Sequence, residues 1–65
     1  MDSNVNWDGK KARIEILKDE HRLIYTATNI IIKDGVISFT DRTGTRFGFS
    51  TTLVTQIHEI LGDPQ

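Results

Sequence analysis

The chain has 65 residues, no cysteine, and eight basic against nine acidic residues for a net charge of −1 at pH 7. Such a length makes one small domain with a thin margin of buried surface, and without cysteine neither a disulfide nor a thiolate metal site can staple it. The interspersed charge excludes the basic excess of a non-specific polyanion binder, and no apolar run approaches the roughly 20 residues of a membrane span.

Residues 1–10 are polar and are expected to form a flexible arm. The arm lacks the apolar centre of a secretory signal, so the chain is expected in the cytoplasm. Val5 and Trp7 are its exceptions. Trp7 either folds back over an apolar patch or anchors a partner, tryptophan being enriched at interface hot spots.

A single domain is expected over residues 11–65. Ala12 to Leu17 alternates polar and apolar and predicts a strand at about 12–18, with Ile14 and Ile16 toward the core and Arg13 and Glu15 outside. Lys18 to His21 reads as the turn, with Ile16 paired to Ile24. The second strand is expected at about 22–33, with Ile24, Thr26, Thr28, Ile30 and Ile32 on the core face. At about 3.3 Å per residue it would run about 40 Å, longer than most strands. A bend near Thr28-Asn29 follows, its two halves pairing to different neighbours.

Asn29 to Phe49 carries two glycine turns between β-branched and aromatic runs, the pattern of a meander. Asp34-Gly35 predicts a two-residue type I′ turn that sets Lys33 opposite Val36, Ile32 opposite Ile37 and Ile30 opposite Phe39. A two-residue loop at Thr43-Gly44 would throw Phe47 and Phe49 away from Phe39. A three-residue loop, Arg42-Thr43-Gly44, instead pairs Phe39 with Phe47 and Ile37 with Phe49, because a one-residue slip flips every side chain. The second register gathers the aromatics and predicts strands at about 36–41 and 45–50.

In Ser50 to Gly62, the residues Leu53, Ile57, Ile60 and Leu61 fall on one helical stripe, with Ser50 or Thr51 placed to cap and Gly62 and Pro64 placed to stop. A helix at about 51–61 is expected, although β-branched residues weaken it. The expected fold is therefore α+β, a four-stranded antiparallel meander with one C-terminal helix packed on one face. The competing expectation is a 3₁₀ turn and a fifth strand, giving an SH3-like or Sm-like small β-barrel.

One helix covers one side of a sheet. The opposite side would carry Leu17, Leu23, Tyr25, Ala27, Ile31 and Val36, too apolar for a solvated face. Trp7, Leu17, Leu23, Tyr25, Ile31 and Val36 are thus the expected protein-interaction residues. The implied function is a non-catalytic regulator, inhibitor or subunit that pairs with itself as a homodimer or with another protein, as suits a bacterial or phage accessory protein. The alternative is a nucleic-acid-binding barrel using Lys10, Lys11, Arg13, Arg42 and Arg46. Asp19-Glu20-His21 lacks a second pair at metal-ligand spacing, and neither His21 nor His58 has a visible nucleophile beside it. No metal, cofactor, small-molecule substrate or membrane contact is expected, and a chain this small leaves little space for an enclosed catalytic pocket.

Overall fold

The second strand decides the architecture. The computed structural model describes residues 7–61. In chain order it holds β1 (Ala12–Lys18), β2 (His21–Lys33), β3 (Val36–Thr40), β4 (Arg46–Ser50), a 3₁₀ turn (Thr51–Leu53) and β5 (Val54–Glu59). These strands form one antiparallel sheet ordered β4-β3-β2-β1-β5. β2 pairs with β1 over residues 21–27 and with β3 over residues 28–33. The sheet is not closed, so among the described residues β4 and β5 each have a neighbour on one side only.

The predicted bend is present, and it is a β-bulge. Thr28 pairs with Thr40 and Ile31 with Ser38, so Asn29 and Ile30 together oppose Phe39. Asn29 has φ 51°, the left-handed conformation that asparagine tolerates better than most side chains. An extra residue in a strand reverses the facing of everything beyond it. Leu23, Tyr25 and Ala27 therefore join Ile30 and Ile32 in the same core cluster. This corrects the expected placement of Ile24 on the core face: Ile24 lies outside and is exposed.

A single interior results. Ala12, Ile14, Ile16, Ala27, Ile30, Ile37 and Phe39 are buried, and Trp7, Tyr25, Phe47, Phe49 and Ile57 are among the half-buried residues packed on them. The bent sheet wraps this cluster itself, so it needs no covering helix.

Both glycine turns match expectation. Asp34 and Gly35 have φ 54° and 75°, and Lys33 pairs with Val36. Gly44 has φ 90°, Phe39 pairs with Phe47, and Ile37 with Phe49. The first turn does not match. Asp19 and Glu20, at φ 52° and 65°, form a two-residue turn that pairs Ile16 with Leu23 instead of Ile24.

The expected C-terminal helix is absent. Ser50 does cap, accepting from the Thr52 N–H at 3.3 Å, but it caps only the three-residue 3₁₀ turn. The chain then extends along β1, with Val54 opposite Ile16 and Ile57 opposite Ile14. β5 carries a second bulge. Gln56 pairs with Glu15 and Val54 with Ile16, which leaves Thr55 unpaired. The bulge keeps Val54 and Ile57 on one side of an extended chain, and the expected stripe breaks up, with Leu53 ending the 3₁₀ turn and Leu61 78% exposed. The β-branched composition of the segment favours that outcome.

Candidate functional site

With the interior filled, function rests on the outer side of the sheet and its edges. On the half built by β2, β3 and β4, two outward rows run across the strands. One is Ile31, Ser38 and Gly48; the other is Lys33, Val36 and Ser50. Ile31 is 55% exposed and Val36 47%, which makes them the apolar part of this surface. On the half built by β1 and β2, Leu17 and Ile24 are exposed beside Arg22 and Glu15. Gly48 has an ordinary backbone, and a Cβ built there would meet nothing nearer than 3.9 Å.

The expected interaction residues therefore divide. Leu17, Ile31 and Val36 point outward. Leu23 and Tyr25 do not: Tyr25 packs its ring against Phe39, Phe47 and Phe49 at centroid distances of 5.2, 5.0 and 5.7 Å. Trp7 packs on the core as well, with the Lys10 Nζ 5.9 Å from its ring, so it folds back; Val5 lies outside the described residues. The continuous greasy face expected from the strand period does not exist, because the Asn29 bulge turned half of it inward. Ile24 is the outward residue that period-two reasoning missed. The one signal for it is Asn29, a residue tolerant of left-handed backbone inside a β-branched run.

The basic residues divide too. Arg46 lies across the outer side of β3: its Nη1 donates to the Asn29 carbonyl at 2.7 Å and to Thr40 Oγ1 at 3.0 Å, and its Nη2 to Ser38 Oγ at 3.0 Å. It latches the bulge and is not held ready for a ligand. Lys10 lies 3.9 Å from Glu59, and the Lys11 carbonyl accepts from the Ile60 N–H. Only Arg13, on β1, and Arg42, in the β3–β4 loop, come to one place. They line an open cleft of about 440 Å³ with Ile24, Tyr25, Thr26, Asp41 and Thr43.

Comparison with known proteins adds nothing to this picture: no family model, curated protein or solved structure matches the chain. The site is therefore argued from its own geometry.

Among the described residues, no group of three or more His, Asp or Glu side chains could hold a metal ion, so Asp19, Glu20 and His21 do not form one. His58 sits on β5 opposite Arg13, its Nε2 3.2 Å from Gln56 Oε1, whereas His21 opens β2 opposite Lys18. Among the described residues, no helix is long and apolar enough to cross a membrane.

Asp41 organises the loop that carries Arg42. Its Oδ1 accepts from the Thr43 N–H at 2.9 Å, the Thr43 hydroxyl at 2.6 Å and the Thr45 N–H at 3.0 Å. These bonds, the Thr43 hydroxyl first, hold its carboxyl below the ordinary value of 3.8 despite some opposing desolvation. A depressed folded-state value favours folding above the unfolded value and loses that contribution as pH falls through the folded one. Asp41→Asn is expected to lose stability at neutral pH and to show a shallower loss below about pH 4 than the parent, measured as thermal midpoint against pH.

Proposed function

We propose that this chain is a small non-catalytic protein-interaction module of SH3-like architecture, and that it pairs with a second copy of itself along β4. One observation carries the reading. Among the described residues β4 is an open edge with no protection of its own, beside the exposed apolar residues Ile31 and Val36. Natural edge strands are commonly guarded by lysine, proline, a bulge or an inward charge. β4 reads Arg46-Phe47-Gly48-Phe49-Ser50 and has no lysine, proline or register shift. Its one charge, Arg46, is folded back over the sheet toward Asn29. The other edge, β5, is kinked by its bulge at Thr55 and ends on Glu59.

An antiparallel β4–β4 contact is self-complementary, as a two-fold dimer requires. It would extend each sheet across the other and bring the two Ile31–Val36 surfaces alongside. Trp7, Leu23 and Tyr25 contribute to this reading only by supporting the sheet from inside.

Gly48→Lys tests it. The position has room for a side chain, and a lysine there guards both the edge and the Ile31 row. The parent is expected to rise from monomer toward dimer mass with concentration in sedimentation equilibrium. The variant is expected to remain monomeric at every concentration with an unchanged far-UV spectrum. A parent that stays monomeric throughout the series overturns self-pairing.

A further inference from the structure

The cleft on the other half of the sheet is independent of the β4 edge, and its chemistry is different. We propose that the cleft between Arg13 and Arg42 is a binding site for a phosphate-bearing ligand of about nucleotide size.

Four observations support it. First, the two guanidinium groups are idle where their neighbours are not. Arg46 and Arg22 are engaged, the latter 3.5 Å from Glu15, whereas among the described residues the Arg13 and Arg42 side chains make no hydrogen bond or ion pair. Guanidinium donors match phosphate oxygens two at a time, and both of these exposed arginines line one cleft. Second, hydroxyl-bearing Thr26 and Thr43 line the same cleft.

Third, the negative charge in the wall is already committed. Asp41 Oδ1 takes its three donors from its own loop, so it holds the segment carrying Arg42 in shape. Two guanidinium charges against one carboxylate leave the wall net cationic, in a chain whose overall charge is −1. A local cationic site on a slightly acidic protein points to a small anion rather than a long polyanion.

Fourth, the remaining wall is not polar. Ile24, 54% exposed, supplies an apolar side, whereas the Tyr25 ring is turned to the core, and about 440 Å³ falls within the range of small-molecule sites. Bare phosphate would use only the arginines. A phosphate joined to a base would use the arginines and lay the base against Ile24, whether as a free nucleotide or as one unit of a single strand.

The test is an NMR titration of isotope-labelled protein at low salt with inorganic phosphate, adenosine monophosphate and a short single-stranded oligonucleotide. Shifts are expected to concentrate at Arg13, Thr26, Arg42 and Thr43, with the nucleotide binding about tenfold more tightly than phosphate. Arg13→Gln and Arg42→Gln should each weaken the nucleotide about tenfold, while Lys33→Gln, an exposed cation on the other half of the sheet, should leave it unchanged. An oligonucleotide with a steeper salt dependence than the mononucleotide identifies a strand as the source; equal affinity and slope identify a free nucleotide. An equal loss on Lys33→Gln, tighter binding of an acidic peptide, or no shift at either arginine overturns the proposal.

Discussion

Phe39→Ala is expected to cost the chain about half of its folding stability or more. Phe39 is the largest fully buried side chain, and it touches Tyr25, Phe47 and Phe49 at centroid distances of 5.2, 6.1 and 6.1 Å. Truncating a buried phenylalanine costs about 3–5 kcal/mol, the transfer of its ring plus the cavity left behind. A domain of this length has about 3–10 kcal/mol in total. Phe39→Leu fills most of the same volume and should fold with a lowered midpoint. Thermal unfolding followed by near- and far-UV circular dichroism distinguishes the two. A cooperative, parent-like transition for Phe39→Ala would mean that the aromatic cluster is not what holds the two halves of the sheet together.

Deleting Asn29 should be as damaging, although the residue is exposed and buries nothing. Without it β2 returns to strict alternation. Either Leu23, Tyr25 and Ala27 or Ile30 and Ile32 must then leave the core, at about 1.5–3 kcal/mol for each large side chain. No rearrangement keeps both sets inside. Asn29→Gly is the matched control: it preserves the inserted residue, relieves a left-handed φ of 51°, and should fold with equal or greater stability. A deletion variant that melts like the parent would remove the bulge from its central place. Both variants are read by the same urea titration, in which the deletion should show no cooperative transition.

How much of this fold is legible in the sequence depends on whether a segment keeps its period. Asp34-Gly35 and Arg42-Thr43-Gly44 announced their turns, because only glycine takes positive φ freely and its neighbours were β-branched. The Phe39–Phe47 and Ile37–Phe49 pairs followed from asking which register collects the aromatics. The bend in β2 was readable from length alone.

What failed has more than one cause. Asn29 and Thr55 each add a residue to a strand, and an added residue breaks the rule by which alternate side chains share a face. At Asn29 this made a one-sided interior look like two greasy faces. The helix expected at 51–61 fails differently: Leu53, Ile57, Ile60 and Leu61 fall on one helical stripe, but the β-branched residues between them favour an extended chain. Asp19 and Glu20 hid the first turn for another reason, since neither is the glycine or asparagine that a left-handed turn prefers. The cleft was illegible because Arg13 and Arg42 sit on separate elements, and no local spacing connects a strand residue to a loop that only the folded sheet brings beside it.

β2 is hydrogen-bonded to β1 along its first half and to β3 along its second. Neither half-sheet owns it. Fraying that frees one side strips the other of its central rail, so partial melting has no stable stopping point. The native ensemble should lack the independently opening subunits seen in larger proteins. Amide protons of Ile14 and Ile37, in opposite halves, should exchange with solvent through the same global event.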